Sequence, residues 1–177
     1  MRLFLAINLP AVLKKQLFEL GNPLGAMGDI KPVEEENIHL TLKFLGDAEP
    51  AGITKALESV KCKPFGITLK GVGVFPKSDY VRVVWTGCEK GAQEIVTLHK
   101  QVEAALPQFE KDRDFHPHAT LARVKFLRDR KAMADFLGKN SETLFGSFKT
   151  ESFDLMKSEL GKGGPTYGIV KSFPLIE

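Results

Sequence analysis

The pattern His-x-Thr-Leu occurs twice in this chain, as His39-Leu40-Thr41-Leu42 and as His118-Ala119-Thr120-Leu121. The chain has only 4 histidines, and these two patterns use half of them. Both lie in strand-like sequence, the first in the run from Asn37 to Gly46 and the second from Phe115 to Val124. Successive side chains on a strand point to opposite faces, so each His projects with its Thr while the leucines turn toward a core. Histidine is the side chain that gives or takes a proton near neutrality, with an unperturbed pKa of about 6.5. A hydrolysis that takes a proton from water and gives one to a leaving oxygen uses two such groups. A Thr beside each His adds a hydroxyl that can donate to an anionic oxygen. Two His and two Thr around one point therefore suit a phosphate diester. One H-x-T alone reads as ordinary strand sequence; a matched pair carries more weight.

The elements that must position these residues read as a mixture of helix and strand. The patterns predict strands over Leu3 to Leu9, Ile38 to Leu45, Phe65 to Phe75, Val81 to Thr86, His116 to Val124, Gly146 to Leu155 and Tyr167 to Phe173. They predict helices over Pro10 to Gly21, Pro50 to Val60, Ala92 to Leu106 and Asp129 to Leu137. Asn22 to Glu36 reads as a loop, and Gly161 to Pro165 as a mobile turn or flap. The order helix, motif strand, helix, strand, strand runs over residues 10–87 and again over 91–174, with the two histidines 79 residues apart. Such a repeat predicts an α+β fold of two lobes related by a pseudo-twofold axis. Each lobe would give one H-x-T to a cleft between them. No linker divides the halves, so residues 1–177 are expected to form a single bilobal domain.

Composition narrows the function classes. The chain has 177 residues, enough for one domain with a real core. With 43% hydrophobic and 27% charged residues it has ordinary globular usage. No apolar run approaches the roughly 20 residues that span a membrane. The apolar start, Met1 to Ile7, is too short for a signal peptide and is stopped by Asn8-Leu9-Pro10. Cys62 and Cys88 have neither metal-site nor disulfide-framework spacing. These features predict a cytoplasmic protein with free thiols.

Charge is uneven. The net charge is +3, yet Lys111 to Lys131 alone holds seven basic residues against three aspartates. This segment brackets the second motif, and a basic rim there suits a polyanion such as RNA. The plain alternative is a solvated charged face. His116-Pro117-His118 raises a metal site, but Asp114 is the only near third ligand, and catalytic metal sites need three. The H-x-T pairing accounts for His118 without a metal, so neither metal nor cofactor is expected. His99, in mid-helix, reads as structural. Lys43, two residues beyond Thr41, is expected on the His39 face, available to a phosphate.

With these residues in view, the chain resembles the two-histidine phosphoesterase superfamily, and within it the bacterial and archaeal RNA 2′,3′-cyclic phosphodiesterases, also called 2′-5′ RNA ligase-like proteins. The resemblance rests on both motifs, on Arg2-Leu3-Phe4-Leu5-Ala6-Ile7, on Leu42-Lys43-Phe44-Leu45-Gly46 and on Pro117-His118-Ala119-Thr120-Leu121-Ala122-Arg123. The close of the chain, Leu155 to Leu160 and Gly164-Pro165-Thr166-Tyr167, is similar as well. The resemblance implies two lobes, each an antiparallel sheet flanked by helices, around a basic cleft, and hydrolysis of RNA ending in a 2′,3′-cyclic phosphate, leaving a 2′-phosphate, without metal or nucleotide cofactor. It implies His118 as general base, His39 as general acid, and Thr41 and Thr120 on the non-bridging oxygens. Run backwards, the same site joins a cyclic end to a 5′-hydroxyl. Arg123 would touch the phosphate or nucleoside, and Phe44 would stack on a base. Strict alternation puts Arg123 and Phe44 on the leucine face, so they reach the cleft only if each strand bulges or ends just after its motif. Ser158 and Tyr167 fit the closing pattern without a derived role. The expected partner is RNA, tRNA fragments included, with no membrane, and the expected state is a monomer. The alternatives are a non-catalytic module that binds RNA ends, and a cyclic phosphodiesterase for a small nucleotide such as ADP-ribose cyclic phosphate.

Overall fold

The computed structural model describes residues 1–176. Its centre is β1 (Arg2–Asn8), buried from Leu3 to Ile7. Leu3, Leu5 and Ile7 face the main core, while Phe4 and Ala6 face a small second cluster with Met156, against which Tyr167 packs. A strand buried on both faces needs a neighbour on each edge. β1 finds β3 (His39–Asp47) on one side and β8 (Ser152–Gly161) on the other, both antiparallel.

The remaining strands are β2 (Gly28–Pro32), β4 (Phe65–Lys77), β5 (Tyr80–Cys88), β6 (His118–Leu127), β7 (Leu144–Thr150) and β9 (Gly164–Pro174). All nine form one antiparallel sheet in the order β7-β4-β5-β6-β3-β1-β8-β9, with β2 added on β6. The two motif strands meet at its middle through a single pair, Leu40 with Ala119. Beyond that pair they diverge, and the divergence opens the cleft.

Four helices cover the face that holds the main core. α1 (Ala11–Gly21) buries Leu13 and Leu17, one turn apart. α2 (Pro50–Leu57) starts on a proline, whose missing N–H costs nothing in a first turn, and buries Ile53 and Leu57. α3 (Ala92–Ala105) buries Ile95, Leu98, His99 and Val102 along one stripe. α4 (Arg130–Asn140) is capped by Asp129, whose carboxylate accepts the Ala132 N–H at 2.9 Å. α1 ends hard against β6: a Cβ on Gly21 would lie 3.2 Å from the Leu121 carbonyl oxygen. No described helix is long and apolar enough to cross a membrane.

The α+β antiparallel class is as expected, but the sheet is not divided as the sequence halves suggest. β4 and β5, from the first half, join β6; β8 and β9, from the second, join β1. Neighbours in sequence pair only about two-thirds of the time, and here the double burial of β1 draws in β8. The expected loop from Asn22 to Glu36 holds a 3-10 turn (Asn22–Met27), β2 and a second 3-10 turn (Glu35–Asn37). β2 escapes a pattern search because it buries a single side chain, Ile30; the edge of β6 organises it. The single strand expected over Gly146 to Leu155 is two, β7 and β8, broken at Glu151, and they lie at distant places in the sheet. The segment Gly161 to Pro165 is the tight tip of the β8–β9 hairpin, in contact with the rest of the fold. Lys31 Nζ donates to the Gly163 carbonyl at 3.3 Å, and Asn37 Nδ2 to that of Pro165 at 2.8 Å.

Candidate active site

Each motif strand carries a bulge at the same place. Along β3, Thr41 pairs with Ala6 and Lys43 with Leu5, so Leu42 has no partner in the β1 ladder. Along β6, Thr120 pairs with Trp85 and Ala122 with Val84, so Leu121 is likewise extra. An extra residue reverses the alternation from there on. Lys43 and Ala122 therefore turn inward beside the leucines, 2% and 0% exposed, and Phe44 and Arg123 turn out to the cleft. The bulges that the sequence required for Phe44 and Arg123 are present in both strands. The same shift corrects the expectation for Lys43, which does not share the His39 face but is buried on the opposite one.

The cleft has a volume of about 160 Å³ and is lined by His39, Thr41, Phe44, His118, Thr120 and Arg123, with Val33, Asn37, Phe75, Val83 and Tyr167. All six residues singled out in the sequence thus meet at one point. His39 Nδ1 lies 2.7 Å from the Asn37 carbonyl and His118 Nδ1 2.6 Å from that of His116. A carbonyl only accepts, so each Nδ1 carries the ring's proton and leaves Nε2 basic in the neutral ring. The Thr41 hydroxyl lies 2.8 Å from His39 Nε2 and donates to it in that form. Each imidazole is also walled by aromatics. His39 has Phe4 at 5.0 Å and Tyr167 at 5.5 Å between ring centroids; His118 has Phe75 at 5.0 Å and Trp85 at 6.2 Å.

These walls set the acidity. Burial lowers the His39 pKa from 6.5 to about 4, against the bond to Asn37 that raises it, and the charges of Lys14 and Arg123 push it down further. Burial also lowers that of His118, opposed by the bond to His116 and aided by Arg123. Both rings are therefore neutral at pH 7 in the free protein. An anionic phosphate brought between them raises both.

A sequence model of the 2′-5′ RNA ligase superfamily matches residues 28–162. The chain belongs to that superfamily. A curated RNA 2′,3′-cyclic phosphodiesterase of Methanocaldococcus jannaschii is 36% identical to it over 98% of this chain and 100% of its own length. One of Archaeoglobus fulgidus is 35% identical over 98% and 99%. Among solved structures, TT0787 of Thermus thermophilus matches with a TM-score of 0.80 at 30% identity, covering 99% of this chain and 98% of its own. Escherichia coli LigT complexed with 3′-AMP matches with a TM-score of 0.78 at 26% identity, over 99% and 98%.

In this superfamily member, sequence reasoning missed the aromatic walls. Phe4 and Phe75 lie in expected strands, and only the positions of β1 and β4 bring them to the imidazoles. Tyr167 comes from β9 and forms part of the cleft beside His39; Ser158 lies outside it, in an adjoining groove with Arg2, Phe44 and Arg123. Asn37 was also missed: it is 5% exposed, and it joins His39 to the hairpin tip at Pro165. His99 is buried, flat against Phe115 at 3.8 Å, with Nδ1 donating to the Leu42 carbonyl at 2.9 Å. Among the described residues one group of three potential metal ligands converges, and it is His99, Glu103 and Asp112 rather than the His116-His118 pair. Lys43 already sits on it, with Nζ 2.7 Å from the Glu103 carboxylate and 3.5 Å from that of Asp112, so a further cation there would face an ammonium.

Proposed function

We propose that this protein is an RNA 2′,3′-cyclic phosphodiesterase that opens the cyclic terminus to a 2′-phosphate by two-histidine acid–base catalysis. One observation carries the reading: two imidazoles from separate strands, each with Nδ1 fixed on a carbonyl and Nε2 left basic, line one cleft with a Thr beside each. Near-complete coverage of curated cyclic phosphodiesterases supports the choice of substrate.

Water attacks phosphorus as one Nε2 takes its proton, and the bond to O3′ breaks as the other imidazolium gives its proton to that oxygen. The two protons balance, and a second cycle needs only their exchange with solvent. Thr41 and Thr120 donate to the non-bridging oxygens, so Thr41 turns from His39 to the phosphate when substrate enters. Arg123 adds a charge close to that phosphate, and Phe44 offers a face to the base. The burial of His39 favours it as base, since the lower pKa keeps it free of a proton, and leaves His118 as acid. This reverses the assignment that the resemblance suggested. In the reverse direction a 5′-hydroxyl takes the place of water and gives a 2′-5′ linkage. We read the protein as a cytoplasmic monomer acting on RNA ends, tRNA fragments among them.

The test is an RNA oligonucleotide ending in 2′,3′-cyclic phosphate, incubated with EDTA, with 2′- and 3′-phosphate products resolved. A 2′-phosphate product at undiminished rate is expected. A 3′-phosphate product, or activity that EDTA removes and zinc or manganese restores, overturns the reading.

A further inference from the structure

A 2′,3′-cyclic phosphate ends its chain. Every other nucleotide of the substrate therefore lies on one side of the reaction and leaves the cleft in one direction. The basic segment that brackets the second motif offers two ways out, and the structure separates them. Lys111 and Arg113 stand on one wall with Phe44. Arg123, Lys125, Arg128 and Arg130 run the other way along β6 and past its end.

Charge distinguishes the two. Glu110 to Asp114 holds two bases against three acids; Arg123 to Lys131 holds five bases against one acid, Asp129, which caps α4. Among the described residues none of the six arginines pairs with a carboxylate; every ion pair uses a lysine or histidine. Along the β6 path Arg82, Arg128 and Arg130 donate to carbonyls instead. Arg82 lies at a bulge of β5 and donates to the Lys125 carbonyl at 2.7 Å. Arg128 donates to Ala26 at 3.1 Å and Arg130 to Asp79 at 3.5 Å. A carbonyl orients a guanidinium without neutralising it: Arg128 and Arg130 each commit one of their five N–H groups, and Arg82, which also donates to the Val124 carbonyl and the Tyr80 hydroxyl, keeps two free. The path also exposes rings. Tyr80 is 51% exposed with the Arg82 guanidinium 4.6 Å from its ring centroid, and Phe126 is 64% exposed. Unneutralised arginines interleaved with open aromatic faces are what a single strand binds, phosphates on charge and bases on rings. Lys125 lies about 7 Å beyond Arg123 along the strand, so the path is continuous with the cleft.

We propose that the β5–β6 end beyond Arg123, with Arg82, Lys125, Arg128, Arg130, Tyr80 and Phe126, is a second binding site, for the single-stranded RNA upstream of the reacting terminus. This rests on the cyclic-phosphodiesterase reading, and the test keeps the two apart. Turnover is measured on a cyclic-ended dinucleotide and on a cyclic-ended octamer with the same last two nucleotides. Affinity for a fluorescent single-stranded octamer is measured alongside. The wild type should have a lower KM for the octamer. The double variant Arg128→Ala, Arg130→Ala and the double variant Tyr80→Ser, Phe126→Ser should each weaken octamer binding about 5–100-fold, which for the ring variant is roughly the range of one lost stacking contact. The arginine variant should also flatten the salt dependence of octamer binding, by about 0.7 in log–log slope per lost phosphate contact. Both should turn over the dinucleotide as the wild type does, which also shows that they fold. Lys111→Ala, on the opposite wall, should leave the octamer-to-dinucleotide ratio unchanged. Variants that bind the octamer as tightly as the wild type overturn the site, as does equal weakening by Lys111→Ala or equal affinity for an RNA duplex. A wild type that binds the octamer through these residues but leaves the dinucleotide intact overturns the activity and keeps the site.

Discussion

β3 and β6 each present a His and a Thr to the cleft, bulge at the following Leu, and then turn Phe44 or Arg123 into the same cleft. They part at the residue between, where β3 has Lys43 and β6 has Ala122. Ala122 is simply covered by the core. Lys43 is a buried cation whose ammonium holds the Glu103 carboxylate of α3 and the Glu110 carbonyl, both at 2.7 Å. Glu103 in turn accepts the Asp112 N–H at 2.9 Å. This knot fixes the segment that leads into β6 and His118. One motif strand thus anchors the approach to the other through a buried ion pair, whereas β6 holds the approach to β3 by backbone bonds alone, along β2 and from the Val33 N–H to the Leu121 carbonyl at 2.9 Å. The histidines differ in the same sense, His39 deeper and lower in pKa than His118. Matched His-Thr pairs on two similar strands therefore need not be interchangeable.

The largest effects should come from the histidines. His39→Ala and His118→Ala should each lose about 10²–10⁴-fold in kcat. The double variant should be far less than multiplicatively worse, because the residues act as a unit. A diester with a p-nitrophenyl leaving group separates their roles, since such a group leaves without a proton. The deficit of His118→Ala should shrink on it and that of His39→Ala should persist. The opposite result exchanges acid and base, and equal rescue erases the difference between the strands.

Lys43→Met probes the anchor. Removing one partner of a buried pair leaves the other uncompensated, at about 3–5 kcal/mol. The cost here should fall near 3, because Glu103 reaches some solvent with its side chain 13% exposed. Burial raises the Glu103 pKa, but the bonds from Lys43 and the Asp112 amide outweigh it and hold the carboxyl below its usual value. Urea unfolding measures the loss. A change below about 1 kcal/mol would make Lys43 and Ala122 equivalent positions after all.

Why the sequence disclosed some of this and hid the rest follows from the range of each interaction. His39, Thr41, His118 and Thr120 were legible because alternation on a strand is local. The bulges could be inferred only as a condition on Phe44 and Arg123, since a bulge is defined against its partner strand. Lys43 was placed on the wrong face for that reason: one unpaired residue, Leu42, moves it through the sheet. Phe4, Phe75 and Tyr167 were hidden further, because their contact with an imidazole depends on sheet order, and pairing crosses the sequence halves. The helices appeared close to their true limits because their stripes, such as Ile95, Leu98 and Val102, depend on nothing distant.

A smaller effect should follow from the threonines. Thr41→Ala and Thr120→Ala should weaken transition-state stabilisation by about 10–100-fold in kcat, less than a full oxyanion donor because a hydroxyl is not fixed in place. The two should differ in their pH profiles. Thr41 donates to His39 Nε2, so its loss should shift the limb that His39 controls; His118 shows no such bond, and Thr120→Ala should leave both limbs in place. Identical profiles would show that the Thr41 contact does not tune the imidazole.

The smallest effect, and the most specific to the asymmetry, is in pH dependence. The profile of kcat/KM reports the free enzyme. With His39 as base at about 4 and His118 as acid below 6.5, it should rise near pH 4 and fall before about 6.5. That of kcat should lie at higher pH, because the bound phosphate raises both imidazoles. Stability follows from the same shifts. A folded-state pKa below the unfolded value means that the unfolded chain binds more protons in between, so stability rises with pH across that window. For His39 the window runs from about 4 to 6.5; its contribution is complete above 6.5 and lost as the pH falls to about 4. The depressed carboxyl of Glu103 acts below 4.5, outside most of that range. Urea midpoints at pH 7, 5.5 and 4 should therefore fall steadily for the wild type. His39→Gln cannot be protonated and should fall less steeply than His118→Gln, since the deeper imidazole carries the larger shift. Equal slopes for the two variants would place both histidines in the same environment and remove the ground for giving them different roles.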